Sequence, residues 1–258
     1  MRSHSFAVML RSMVKPDPIP KTLHAFVVMT FCLISLSYGA AAKAQCRLAL
    51  SFAMDVSSSV NAQEYRIQKG GLADALLHPD VRTLILNPSH TVALSAYEWS
   101  GRDHQQTIVG WRLIKNENDL NAIAHQLNTS PRSANAQSTA VGQALRFGAQ
   151  YFTQLPFACD RHVIDISGDG VTNEDQDPSS VRNWGVLDGI TVNGLVIKGA
   201  TPDPEAYYRD QVIHGPDAFV IAARNGFGDY PDLIRGKLLR ELRPPFLIGA
   251  IQQGAEIR

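Results

Sequence analysis

Asp55-Val56-Ser57-Ser58-Ser59 is the first group in this 258-residue chain whose residue types and spacing could do chemistry. In an extended loop, side chains 55, 57 and 59 can be aimed at one point. A carboxylate with two hydroxyls is a hard oxygen set, suited to Mg²⁺, Mn²⁺ or Ca²⁺ and poor for zinc. Thr139, at the end of the polar segment 133–138, and Asp169, in Gly168-Asp169-Gly170, carry the same kind of donor. Each has a plainer reading. Ser57 or Ser59 could cap a following helix, Thr139 could be a helix N-cap, and Asp169 could be a turn residue.

What brings such groups together is the order of elements. Residues 47–54 (RLALSFAM) form an almost unbroken apolar run ending on Asp55, the pattern of a central strand buried on both faces. Asn61-Ala62-Gln63-Glu64 is a capping-box variant and opens a helix running to about Leu77. Strands are expected at 91–99 and 107–114, joined by a polar segment that suits a hairpin. Helices are expected at 118–127 and 140–152, the second with a small or apolar face made by Val141, Ala144, Leu145, Gly148 and Phe152. A strand at 162–167 stops at the Gly168-Asp169-Gly170 turn. A helix at 177–188, a strand at 190–197, a helix at 204–212, a strand at 218–223 and a helix at 230–242 complete the pattern. Alternation of this kind predicts an α/β domain with a doubly wound, mostly parallel six-stranded sheet flanked by helices. In such a sheet ligands bind beyond the carboxyl ends of the strands, where Asp55, Thr139 and Asp169 are all expected to fall.

As a set of five, Asp55, Ser57, Ser59, Thr139 and Asp169 resemble the metal-ion-dependent adhesion site of the von Willebrand factor A family. The strand and helix order agrees over roughly residues 46–242. More narrowly, Glu98-Trp99-Ser100-Gly101, Trp111, Ile166-Ser167-Gly168-Asp169-Gly170 and Tyr207-Tyr208-Arg209-Asp210 resemble a bacterial family of secreted A-like domains without an assigned function. The resemblance implies a six-coordinate Mg²⁺, with Mn²⁺ or Ca²⁺ as alternatives, and one position open to a partner. Ser57 and Ser59 would ligate it directly, and Thr139, Asp55 and Asp169 directly or through water. Two carboxylates leave a dication near neutral, so the Asp or Glu of a protein partner can complete it. The expected function is a cation-dependent protein-binding module with no catalytic residues. The alternatives are a metal-dependent hydrolase or phosphatase on the same type of sheet, or a scaffold whose metal is structural. Against an aspartyl-nucleophile phosphatase, Ser57 stands where a second Asp is wanted.

Other features weigh less. Glu98 reads as a surface carboxylate at a strand end, with a place behind the metal ligands as the alternative. Trp99 and Trp111 read as packing residues. The segment 165–176 begins like a calcium-binding loop, but it follows a strand and places Gln176 where a bidentate Glu is needed. Glu174, Asp175 and Asp177 read as a solvated loop. Neither H-E-x-x-H nor G-x-S-x-G occurs.

Basic and acidic residues balance at 24 each, which gives no support to nucleic-acid or anionic-membrane binding. Residues 1–44 read as a signal peptide, with Lys15 and Lys21 before an apolar stretch and Ala42-Lys43-Ala44 before a cleavage point at Gln45. An uncleaved membrane anchor is the alternative. Residues 45–243 form the domain and 244–258 a tail after Pro244-Pro245. Export to the periplasm or the exterior is expected. Removing the leader leaves only Cys46 and Cys159. If their strands are adjacent and parallel, both cysteines lie at the amino edge of the sheet, where a disulfide is feasible; two buried free thiols are the alternative.

Overall fold

The computed structural model describes residues 46–87, 90–133 and 138–243. The expected leader (1–44) and tail (244–258) lie outside the described residues. Strand β1 (Cys46–Asp55) is buried except at Arg47, as its apolar run requires. Asn61 opens α1 (Ala62–Leu77) with a complete capping box: its side chain accepts from the Gln63 and Glu64 amides, and Glu64 accepts from the Asn61 amide. A short helix α2 (Pro79–Ile85), not expected from the sequence, follows directly, its Pro at the first turn. Then come β2 (Thr91–Trp99), β3 (Gln105–Ile114), α3 (Glu117–Thr129), α4 (Val141–Phe152) and β4 (His162–Gly168). The last part contains α5 (Pro178–Asn183), β5 (Ile190–Ile197), α6 (Pro204–Tyr207), which continues as a π-helical turn (Tyr208–Val212), β6 (Val220–Ala223) and α7 (Tyr230–Glu241).

The six strands order as β3-β2-β1-β4-β5-β6. All neighbours are parallel except the β2–β3 hairpin, so the doubly wound α/β sheet is as expected. The helix expected at 177–188 is shorter, because Gly185 and Gly189 take left-handed backbone (φ 70° and 77°) and turn the chain into β5.

Alternation along β1 divides the core. Leu48, Leu50, Phe52 and Met54 pack on the face covered by α1, α3 and α7. Ala49 and Ala53 point the other way, toward α4, where small residues allow close approach. At Gly148 of α4 a Cβ would come within 2.6 Å of the Tyr97 hydroxyl, which donates to the Ala144 carbonyl.

Cys46 and Cys159 form a disulfide at the amino edge, across a sequence separation of 113 residues. A loop of that size should stabilise the fold by about 4–5 kcal/mol through the unfolded chain. Cys46→Ala/Cys159→Ala is therefore expected to lower the urea midpoint by the equivalent amount. A midpoint equal to wild type would mean that strand pairing alone sets the stability of this edge.

Candidate metal centre

β1 is flanked by β2 on one side and β4 on the other, so the carboxyl ends of β1 and β4 form the switch point of the sheet. Asp55 ends β1, and Asp169 follows β4 at once. The plainer readings of the hydroxyls do not apply. Asn61 caps α1, leaving Ser57 and Ser59 uninvolved in capping. Ala140 occupies the N-cap of α4, with no side-chain capping bond, so Thr139 does not cap that helix either.

The Ser57 amide donates to Asp55 Oδ1 at 2.7 Å. The Ser57 and Ser59 hydroxyls lie 3.1 Å apart, and Ser59 Oγ donates to Asp169 Oδ1 at 2.6 Å. Asp55 and Ser57 are fully buried, whereas Ser59 is exposed and lines an open cleft with Asp169. Thr139 lines that cleft with Ser59, Glu64 and Asp169, in a volume of about 610 Å³. Its backbone is pinned from both flanks. The next amide, Ala140 N, donates to Ser100 O after β2, while Thr139 exchanges bonds with Asn173 after β4.

Among the described residues Asp55 Oδ2 is buried without a hydrogen-bond partner. Burial first, and then the nearby Asp169 carboxylate, push Asp55 up to about 7. Asp169 is also raised, chiefly by burial and against the Ser59 hydrogen bond. Two carboxylates that disfavour each other's charge, one with an orphaned oxygen, are suited to sharing a cation. Among the described residues no group of three or more His, Cys, Asp or Glu gathers as a metal cluster. The set here holds two carboxylates and three hydroxyls, the hard-oxygen composition expected of a Mg²⁺-type site.

Several supporting residues gain their role only from the structure. Gly168 is the closest: a Cβ there would lie 2.6 Å from the Tyr208 hydroxyl and 2.9 Å from Asp55 Oδ2. Gly168→Ala is expected to cost about 1–3 kcal/mol by overpacking. Gly170→Ala, with nothing among the described residues within 4 Å of its Cβ, should stay near wild type in the same urea titration. Gln68 Nε2 donates to Asp55 O, and Arg132 Nη2 donates to both Val56 O and Ser57 O, clamping the loop of residues 55–59.

Glu98 corrects the expectation of a surface carboxylate. It is fully buried, accepts from the Tyr65 hydroxyl at 2.5 Å and the Ser133 amide at 2.8 Å, and so ties α1 to the segment leading toward Thr139. Trp99 is buried and Trp111 packs on Tyr151 and Phe152, as expected. Glu174 and Asp175 are not merely solvated. Glu174 accepts from the Arg102 amide, and Asp175 pairs with Arg102, fastening the hairpin loop to the segment after β4.

A family profile described as "Protein of unknown function (DUF1194)" matches residues 45–246. No curated protein matches the chain. Among solved structures, proximal thread matrix protein 1 from the mussel byssus, in a form with a zinc-occupied MIDAS motif, superposes with TM-score 0.57 at 15% identity. That match covers 78% of this chain and 47% of the other. A von Willebrand factor type A protein from Catenulispora acidiphila gives TM-score 0.55 at 14% identity, covering 76% and 43%. The pilus adhesin SpaC from Lactobacillus rhamnosus GG gives 0.57 at 12%, covering 78% and 31%. The chain thus spans less than half the length of these proteins, and at such identities the likeness is one of fold: a von Willebrand factor A-like domain.

Proposed function

The chain belongs to the DUF1194 family of proteins of unknown function, and from that premise we propose that it is an exported, divalent-cation-dependent binding module rather than an enzyme. The observation that carries the reading is the orphaned, buried Asp55 Oδ2, set beside Ser57, Ser59 and Asp169 at the switch point of the sheet. Asp55, Ser57, Ser59, Thr139 and Asp169 would hold Mg²⁺, with Mn²⁺ or Ca²⁺ as substitutes. A bound cation would supply an electrophilic position for an incoming carboxylate. The chain's own part is to keep two carboxylates close, one of them shut away from water, and to leave the mouth of the cleft open. A protein partner presenting an Asp or Glu fits that mouth. The disulfide suits an oxidising compartment, and the leader pattern of residues 1–44 supports export to the periplasm or beyond. Among the described residues no helix is long and apolar enough to cross a membrane.

Calorimetric titration of Mg²⁺ and Mn²⁺ into metal-free protein tests this directly. Saturable binding at one site, and metal-dependent retention on an immobilised Asp-containing peptide that EDTA reverses, are the expected results. Folded protein that takes up neither ion removes the mechanism. Metal-dependent turnover of a phosphate ester, lost on substituting Asp55, would replace the binding module by the hydrolase alternative.

A further inference from the structure

At the opposite, amino edge of the sheet lies a cavity of about 320 Å³, lined by Arg161, Asn193, Phe219, Arg240 and Arg243 among others, with Glu241 in its floor. Arg161 immediately precedes β4, Asn193 lies in β5, and Arg240 and Arg243 come from the end of α7 and the residues after it. Among the described residues no salt bridge joins Arg161, Arg240 or Arg243 to a carboxylate.

The floor does not neutralise them. Glu241 is bound by Lys237 Nζ and by Asn193 Nδ2, each at 2.7 Å. Lys237 also meets Asp165 at 2.7 Å, and one ammonium cannot balance two buried carboxylates, so one keeps its proton. Burial first, and then Glu241, push the fully buried Asp165 up to about 8, so the two carboxylates together carry close to one negative charge against the lysine. The floor is therefore close to neutral at pH 7, and Asp217 at the rim is the cavity's other carboxylate. Arg47, on the same edge, is shifted down, first by burial and then by Arg161, a sign of locally positive potential.

The walls are also ordered. The Arg240 guanidinium lies 3.7 Å above the Phe219 ring, a stack that fixes its plane and leaves its edge donors available. Phe219 is held in turn by its amide, which donates to Asn193 Oδ1 at 3.2 Å. Arg161 spends one donor on the Glu241 carbonyl at 3.4 Å and has others to offer.

We propose that this cavity is a second binding site, taking the oxyanion of a small molecule, a carboxylate or a phosphate, on the guanidiniums of Arg161, Arg240 and Arg243. Planar forks of this kind match both groups through paired hydrogen bonds. The volume suits a compact metabolite-sized anion. The site stands at the far edge from the metal centre and does not depend on it.

Calorimetric titration of the full protein with inorganic phosphate and, separately, citrate, in buffer of moderate chloride concentration, tests the site. Saturable binding of either probe is expected, roughly tenfold or more weakened in Arg240→Gln/Arg243→Gln. Both side chains are exposed, so the variant should keep its melting temperature, and a melting curve checks this. Phosphate alone assigns a phosphate ester, citrate alone a polycarboxylate, and both the shared oxyanion chemistry. Asp55→Asn should leave anion binding unchanged, which separates this site from an anion captured at the metal centre. Absence of saturable binding with both probes, or wild-type binding by the double arginine variant, overturns the assignment.

Discussion

Asp55→Asn is expected to weaken Mg²⁺ binding by roughly 100-fold or more while making the metal-free protein harder to melt. The two effects share one cause. Asn keeps an oxygen in place to accept from the Ser57 amide, a bond of 2.7 Å, so the loop need not move. What disappears is a negative charge that is fully buried and faces a second carboxylate. With Asp55 raised from 3.8 to about 7, that charge costs on the order of 4 kcal/mol when fully formed. On the proposed function the wild type would bear that cost in return for cation affinity, and the amide variant would not. The measurement is a pair of thermal melts, with EDTA and with saturating Mg²⁺. Wild type should gain markedly on adding the ion, and the variant should start higher and gain almost nothing. A variant that melts lower in EDTA would mean that Asp55 is held in place mainly as a loop anchor. One that still gains as much as wild type with Mg²⁺ would remove Asp55 from the ligand set.

The residues proposed for that site were legible because their spacing is local. Asp55, Ser57 and Ser59 repeat at two-residue intervals after an apolar run, and Asp169 sits between two glycines at the end of another. Both patterns declare a strand end without any knowledge of the fold. The elements they depend on were equally plain, because β1 and β2 are buried along nearly their whole length and so read as mostly apolar runs. Groups whose meaning depends on a distant neighbour were less legible. Gly168 looks like an ordinary turn glycine until the Tyr208 hydroxyl and Asp55 are placed beside it. Glu98 resembles any carboxylate at a strand end until Tyr65 arrives from α1. Arg132 lies in a polar loop, and nothing local connects it with the carbonyls of Val56 and Ser57. Helix α2 escaped because seven residues starting at Pro79 carry too little periodicity to separate from a loop. The hardest to see was the pair Lys237 and Glu241, whose four-residue spacing on a helix is the usual mark of a solvated face, yet both are buried.

That buried pair supports the second large expectation: Lys237→Met should destabilise the domain by about 3–5 kcal/mol at pH 7. Methionine matches the length and apolar stem of lysine, so the loss is not one of packing. The lysine side chain is fully buried, with its ammonium 2.7 Å from both Asp165 Oδ1 and Glu241 Oε1. With Asp165 raised to about 8, Lys237 faces close to one negative charge from the two carboxylates together, and removing the lysine strands that charge. A buried, unpaired carboxylate favours its protonated form, so the stranded charge costs less as pH falls. The stability gap between variant and wild type should therefore narrow as pH falls from 7 toward 4.5, measured by urea unfolding at each pH. Lys237→Met/Glu241→Gln should recover most of the loss at pH 7, since the charge is then removed together with its partner. A gap that is independent of pH, or that Glu241→Gln does not close, would place the cost in the packing of the α7 face against β4 and β5 instead of in the unpaired charge. The same double variant links this core to the amino-edge cavity. If Glu241 matters there only as part of a neutral floor, phosphate or citrate affinity should survive the exchange of both buried charges for neutral groups.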